Sequence, residues 1–315
     1  MEKEKLFLDL ELAPRSKKPR SRGITAIGDD GEPISWMREM LEALGEYVDC
    51  VHIMPFSVVM PWRLVEKRIK LFRDFQVNVV VTDPIFAIAY YQGKAEALLR
   101  TLRDMGVTHV QIDTRHIKLA DGPDDKKLYE DEVRYTAMAR ELGLKIEGEV
   151  GQKWPEGDPA RAGRGLLNID AVVAEMKRLL SDGCELVYLE SKVLHEIIGE
   201  YGEREEGTEQ IRRVVEAVGL EHIVIEITGM LSFDARQCHR FWAVRNFGPE
   251  VNMGGGGSIA EVRYVEAIRR GVMFVGGPSR STSRLWVKSL ARGRGKAAQD
   301  WWKEDYPIDV SVLSK

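Results

Sequence analysis

The segment LKIEGEVGQKWPEG, residues 144–157, and the two segments after it have the pattern of a strand, a helix and a second strand. Apolar residues alternate in the first segment as far as Val150, and such alternation predicts a β-strand. NIDAVVAEMKRLLSDG (168–183) has helical spacing and ends on glycine, and ELVYLE (185–190) is a second strand-like run. This order predicts two parallel strands joined by a helix.

The same alternation extends along most of the chain. The predicted strands are GITAI (23–27), VDCVHI (48–53), VNVVVT (77–82), VTHVQI (107–112), LKIEGE (144–149), ELVYLE (185–190), HIVIEI (222–227) and EVNM (250–253). The predicted helices are 36–47, 61–75, 94–106, 131–143, 168–183, 208–219, 233–248 and 258–271. Eight such units favour an α/β fold, a closed (β/α)8 TIM-type barrel over residues 1–271. Residues 272–315 are predicted to be a C-terminal extension that packs on the barrel or on a neighbouring subunit.

The composition is that of a soluble globular protein. Of 315 residues, 44% are hydrophobic and 30% charged, and the formal net charge of −4 argues against a nucleic-acid partner. Cys50, Cys184 and Cys238 are widely spaced, which favours a reduced cytoplasmic protein without disulfides. The sequence has neither the pattern of a signal peptide nor an apolar run of membrane-spanning length. We expect a cytoplasmic homo-oligomer that does not bind membranes.

Three consecutive predicted strands end on a glutamate: Glu149, Glu190 and Glu226. In a barrel of this kind the C-terminal strand ends meet at one face, where catalytic residues lie. Buried carboxylates are costly unless they are paired or bind metal, so their position favours a site over a structural salt-bridge cluster. Carboxylates without a cysteine cluster suit a hard cation. The sequence therefore predicts a Mg²⁺ site at these three glutamates, with Glu149 also a catalytic candidate.

Other candidate residues lie near the same predicted face. Lys153, four residues after Glu149, is a cation suited to holding an anionic substrate or moving a proton. His52 ends the second predicted strand and is either a site residue or a structural one. The glycines of MGGGGSIAE (253–261) allow a ligand to approach the backbone where barrels often bind phosphate, although the segment is equally interpretable as a flexible loop.

Several segments together resemble one enzyme family. They are LELAPRSKKPRSRG (10–23), DDGEP (29–33), YVDCVH (47–52), EVGQK (149–153), the glutamates of YLES and VIEI, FGPEVNM (247–253) and EAIRRG (266–271). They resemble the phosphosulfolactate synthases, (β/α)8-barrel enzymes that add sulfite to phosphoenolpyruvate, with Mg²⁺, in coenzyme M biosynthesis. The resemblance covers about residues 9–271 and implies a lyase that binds Mg²⁺ and a small anionic substrate.

The resemblance retains one group of residues and departs at another. The retained residues are Lys18, Arg20, Glu149, Lys153, Glu190, Glu226 and Asn252. The family's Lys-Phe-Gly-Trp-Gly-Thr after the second strand is HIMPFS here, so His52 replaces a lysine. The family's Gly-Gly-Thr after the third strand is TDP (82–84), and its Glu-Ile-Ser after the fourth is changed at Gln111 and Asp113. Its arginine after the sixth strand is Lys192.

The resulting hypothesis is a Mg²⁺-dependent lyase that adds sulfite or a related nucleophile to phosphoenolpyruvate or a similar enol acid. Lys153 and His52 would stabilise charge or move the proton. The substrate would be bound by Lys18, Arg20, Lys192, Asn252, Gly254 and Gly255. Two alternatives stay open. One is a different barrel lyase or isomerase of a phosphorylated or carboxylated metabolite. The other is a non-catalytic, stress-linked or scaffold protein that uses DWWKEDYPIDV (300–310) as a partner surface.

Overall fold

In the computed structural model, eight parallel strands form a nearly closed barrel, which confirms the predicted fold. The structure describes residues 12, 15–114, 123–152, 157–227, 230–255 and 257–272, and the backbone of 284–285 and 308–309. The barrel strands are β1 (Ala26–Asp29), β2 (Cys50–Ile53), β3 (Asn78–Val81), β4 (His109–Gln111), β5 (Lys145–Val150), β6 (Cys184–Leu189), β7 (Ile223–Glu226) and β8 (Asn252–Gly254). Each strand pairs in parallel with the next in chain order.

Ten α-helices surround these strands in the described part of the chain. They are α1 (Ile34–Leu44), α2 (Trp62–Asp74), α3 (Asp83–Tyr91), α4 (Ala95–Asp104), α5 (Asp125–Glu141), α6 (Ile169–Asp182), α7 (Ser191–Ile198), α8 (Glu205–Val218), α9 (Phe233–Phe247) and α10 (Val262–Arg269). The sequence predicted all of them except α3 and α7. These two begin within two residues of a strand end, so no turn signal separates them from the strand.

The barrel closes between β8 and β1. The backbone N–H of Met253 donates to the carbonyl oxygen of Ile24 at 2.9 Å, and Thr25 pairs with Met253 as an isolated parallel bridge. Nearer the other end of the seam, the N–H of Gly28 donates to the carbonyl oxygen of Gly257 at 3.1 Å. These bonds pair the edges that an open sheet would leave exposed.

Two buried side chains reinforce the N-terminal end of this seam. The Asn252 amide oxygen accepts from the N–H of Ile24 at 3.0 Å, and its NH₂ group donates to the carbonyl oxygen of Ile223 at 3.2 Å. The Arg269 guanidinium donates to the carbonyl oxygens of Val251 at 2.7 Å and of Ile24 at 3.1 Å. Both side chains therefore connect the start of β8 to Ile24, just before β1.

The segment that precedes β1 covers the N-terminal end of the barrel. Lys18 Nζ donates to the carbonyl oxygens of Gly45 at 2.9 Å and Phe75 at 3.3 Å, where α1 and α2 end. The C-terminus of a helix carries partial negative charge, which favours a bound cation there. Arg20 donates to the Asp49 carboxylate at 2.9 Å, just before β2. These contacts hold the segment across the strand starts.

The predicted C-terminal extension falls almost wholly outside the described residues. Within it, the backbone at Arg284–Leu285 pairs antiparallel with that at Ile308–Asp309. Its packing on the barrel or on a second subunit stays a prediction. In the part of the chain that the structure describes, no helix has both the length and the apolar character needed to cross a membrane.

Candidate active site

The C-terminal ends of the barrel strands surround a cavity of about 420 Å³. Glu149 on β5, Glu190 directly after β6 and Glu226 on β7 line one side of it, and His52 on β2 lies on another. Reaction sites of (β/α)8 barrels lie at this face. The cavity is therefore the candidate active site.

The three glutamates predicted from the strand ends converge in space. One carboxylate oxygen of each of Glu149, Glu190 and Glu226 lies within 4.8 Å of the other two. Glu149 is 8% exposed and Glu190 is fully buried. Carboxylates this close repel one another, and more strongly in a buried place than in water. The arrangement therefore requires positive groups nearby.

The N-terminus of α7 supplies some of that positive character. The backbone N–H groups of Lys192 and Val193 donate to Oε2 of Glu190 at 2.7 and 3.1 Å. The N–H of Ser191 donates to Oε2 of Glu226 at 3.0 Å. A helix N-terminus stabilises negative charge, so α7 holds two of the three acids in place.

Below the glutamates, His52, Tyr188 and Glu147 form a polar floor inside the barrel. His52 Nε2 lies 3.0 Å from the Tyr188 hydroxyl and 3.4 Å from Oε2 of Glu147. All three side chains are buried. The interior of such a barrel is ordinarily filled by branched apolar side chains, so three polar side chains here depart from the usual packing.

The pKa values of the floor residues keep Glu147 charged and Tyr188 neutral. Burial alone would raise the pKa of Glu147, but the hydrogen bond and charge of His52 and the charge of His109 together lower it below its usual value. Burial and the nearby Glu147 raise the pKa of Tyr188 well above its usual value. The Tyr188 hydroxyl therefore remains a hydrogen-bond donor at neutral pH.

A sequence profile of the (2R)-phospho-3-sulfolactate synthases matches residues 13–274. The chain belongs to this family. The phosphosulfolactate synthase of Methanothermobacter thermautotrophicus is 26% identical over 266 residues, which cover 84% of this chain and 95% of the relative. The phosphosulfolactate synthase of Methanocaldococcus jannaschii is 25% identical over 255 residues, which cover 80% and 92%.

Membership of the phosphosulfolactate synthase family confirms the resemblance seen in the sequence and indicates an enzyme with lyase-type activity. Among solved structures, a thiamine phosphate pyrophosphorylase from Pyrococcus furiosus aligns with 80% of this chain and 98% of its own at 14% identity. Its TM-score of 0.43 is too low to carry an argument about function.

Two glycines predicted to bind substrate make room for site side chains. A Cβ atom on Gly254 would lie 2.8 Å from Cε1 of Tyr188. Gly255 has a φ of +102°, and a Cβ atom there would lie 2.8 Å from Cγ of Glu226. Gly255 also lines the cavity, so close approach of a ligand to its backbone stays a prediction. Lys192, predicted to bind substrate, lies in the first turn of α7.

Three residues predicted for the substrate site lie at the other end of the barrel. Lys18 and Arg20 are bound near the strand starts, by the ends of α1 and α2 and by Asp49. Asn252 is the first residue of β8, and its amide is bonded across the seam. The structure does not bring these side chains to the glutamate cluster, which corrects the expectation that they bind substrate there. Lys153 lies outside the described residues.

Several residues of the cavity wall were not predicted, among them Tyr188 and Asp30. Tyr188 precedes Glu190 by two positions, and side chains two apart along a strand share a face, so its place was available from the sequence. Asp30 follows β1, which runs to Asp29 rather than ending at residue 27 as predicted. Because the predicted strand ended two residues too early, Asp30 was not recognised as the residue that directly follows β1.

Proposed function

We propose that this member of the phosphosulfolactate synthase family adds sulfite to phosphoenolpyruvate or to a closely similar enol acid. The observation that carries the proposal is the convergence of Glu149, Glu190 and Glu226 in the mouth of a barrel that matches the family from residue 13 to residue 274. The names of the two relatives support the same activity.

The reaction joins two anions without releasing a group. The sulfur lone pair of sulfite forms a bond to carbon 3 of the enol acid, and the carbon–carbon double bond becomes single. Its electron pair moves to carbon 2 and the adjoining carboxylate, and carbon 2 then takes up one proton. The site must therefore hold two anions, offset the charge that develops on the carboxylate and supply a proton.

The glutamate cluster fits Mg²⁺, the ion that the resemblance implies. Carboxylate oxygens are preferred ligands of this ion, and those of Glu149, Glu190 and Glu226 lie within 4.8 Å of one another. The hydrogen bonds from α7 orient Glu190 and Glu226 for this task. When bound, the ion supplies positive charge against the negative charge that develops on the substrate carboxylate.

The proton for carbon 2 is assigned to Lys153, which follows β5 by three residues in the sequence. This assignment rests on the sequence alone. His52 is the second candidate, because it lines the cavity and stands where the family pattern has a lysine. Tyr188 and Glu147 hold the His52 imidazole in place from below.

The test is product formation from phosphoenolpyruvate and sulfite. We expect phosphosulfolactate, identified by mass spectrometry and phosphorus NMR, only when both substrates and Mg²⁺ are present, and its loss when EDTA is added. If the protein converts another phosphorylated or carboxylated metabolite but does not use sulfite, the alternative of a different barrel lyase or isomerase is favoured. Metal binding without turnover of any enol acid would favour the non-catalytic alternative.

Asp30 is expected to make substrate binding depend on pH. It lines the cavity, and burial, followed by the charges of Glu32 and Asp29, raises its pKa to about 6. Below that pH the carboxyl group is neutral; above it, the group is negative and repels an incoming anion. We expect KM for the enol acid to rise about threefold as the pH passes from about 5 to about 7.

An Asp30→Asn variant should lose this rise in KM. The substrate phosphate ionises in the same range, but it does so equally with either protein, so the difference between the two pH profiles isolates Asp30. Identical profiles of KM against pH for the two proteins would show that the charge of Asp30 does not affect substrate binding.

A further inference from the structure

We propose a second metal site in the barrel interior, formed by Cys50, His52 and Glu147 and suited to Zn²⁺ or another transition-metal ion. It shares no ligand with the glutamate cluster at the mouth. It rests on the placement of these three side chains and not on the proposed reaction.

The three donors already converge. Cys50 and His52 lie two residues apart on β2, so both side chains take the inward face, and Glu147 reaches them from β5. The thiol sulfur, an imidazole nitrogen and a carboxylate oxygen lie within 4.8 Å of one another. His52 Nε2 and Oε2 of Glu147 are 3.4 Å apart. Donors of a tetrahedral zinc site lie about 3.3–3.8 Å apart, given bonds of about 2.0–2.3 Å. A shift of about 1 Å would complete the geometry.

The donor types distinguish this site from the one at the mouth. Thiolate, imidazole and carboxylate are the zinc ligands of proteins, whereas three carboxylates suit Mg²⁺. A thiolate and a carboxylate together neutralise a divalent ion, which favours the ion in a buried place. Cys50, His52 and Glu147 are 4%, 8% and 2% exposed. In the described part of the chain, these two clusters are the only groups of three such side chains with this spacing.

The surroundings provide support and access. The Tyr188 hydroxyl, 3.0 Å from His52 Nε2, lies close enough to occupy the fourth position. A cavity of about 660 Å³ at the N-terminal end of the barrel is lined by both Cys50 and Glu147. It gives an ion a route from the end opposite the active site.

His52 makes the site a particular feature of this chain. The family pattern has a lysine at this position, and a charged lysine has no lone pair for a metal. A His52→Lys variant therefore restores the family's residue and removes a ligand in one step.

Cobalt titration of the full-length protein, after treatment with a chelator, tests the proposal. We expect one equivalent of Co²⁺ to give the near-ultraviolet absorption of a thiolate–cobalt bond, and Zn²⁺, but not excess Mg²⁺, to abolish it. The band should be lost in Cys50→Ala and His52→Lys. It should persist in Cys184→Ala and Cys238→Ala, matched changes of the other two buried cysteines, and in Glu149→Gln.

X-ray absorption of zinc-loaded wild type gives a second readout that needs no variant, and one sulfur at about 2.3 Å is expected. Cobalt that gives no thiolate band, or zinc bound by oxygen and nitrogen only, would overturn the proposal. A band that survives in a folded Cys50→Ala protein would do so too. Because none of these signals requires turnover, they test the second metal site independently of the sulfite reaction.

Discussion

A Glu149→Gln variant is expected to form phosphosulfolactate about 10²–10³-fold more slowly than the wild type, which is the usual loss when one charge-stabilising group leaves a reaction centre. The amide keeps the size of the side chain but removes the charge of a carboxylate whose oxygen lies within 4.8 Å of those of Glu190 and Glu226. That charge would help hold Mg²⁺. Glu190 and Glu226 are less suitable targets, because they also bind the first turn of α7. Initial rates with saturating substrates would measure the effect.

Metal binding gives this prediction a second measurement. With Mn²⁺ in place of Mg²⁺, electron paramagnetic resonance should show affinity weakened about tenfold or more by Glu149→Gln. Glu185→Gln is the matched control, because Glu185 lies at the opposite end of β6 and pairs with Lys145 at 2.9 Å near the surface. If Glu149→Gln and Glu185→Gln have equal rates and equal Mn²⁺ affinities, the glutamate cluster is not the metal site.

The position of the glutamates was predictable because it depends on strand order alone. Parallel strands place their C-terminal ends at one face, so an acid at the end of each of three consecutive strands must lie near the others. The exact strand boundary matters little for Glu149, Glu190 and Glu226, since one residue of error leaves them at the same end. The hydrogen bonds from α7 were not predictable without that helix, which begins at the residue after Glu190.

The predicted positions of Lys18, Arg20 and Asn252 were wrong, and the order of the strands explains why. A segment that leads into β1 enters at the N-terminal end of the barrel, and Arg20 precedes that strand by only six residues. Asn252 was taken as a strand end, but β8 is three residues long and begins with it. In so short a strand, a shift of two residues moves a side chain from one end of the barrel to the other.

The side-chain contacts inside the barrel could not be predicted from the sequence pattern. Period-two alternation predicts which residues share a face, but not what stands across the barrel from them. Glu147 lies within the predicted strand 144–149, yet its approach to Cys50 and His52 depends on how β2 and β5 face each other around a closed sheet. Long-range contacts of this kind require the three-dimensional structure.

An Arg269→Met variant is expected to lower the free energy of unfolding by about 3–4 kcal/mol. Arg269 is 1% exposed, and its guanidinium donates to the carbonyl oxygens of Pro249, Val251 and Ile24 at the barrel seam. Methionine fills much of the volume but leaves these buried acceptors without that donor. Removal of a buried charge offsets part of the loss, so the cost is less than the sum of three bonds. Urea denaturation followed by circular dichroism would measure it.

Arg270→Met is the matched control for this prediction. Arg270 follows directly in the chain, is partly buried and pairs with Glu266 at 2.7 Å. Glu266 keeps its bond from Arg15 when Arg270 is replaced, so no buried acceptor is left without a donor and the loss should cost about 1–2 kcal/mol. Equal destabilisation by the two variants would mean that the charge near the end of α10, and not the bonds across the seam, stabilises the fold. A cost confined to Arg269→Met would show that this buried side chain strengthens the closure between β8 and β1 beyond what the backbone bonds and Asn252 provide, at the end of the barrel opposite the glutamates.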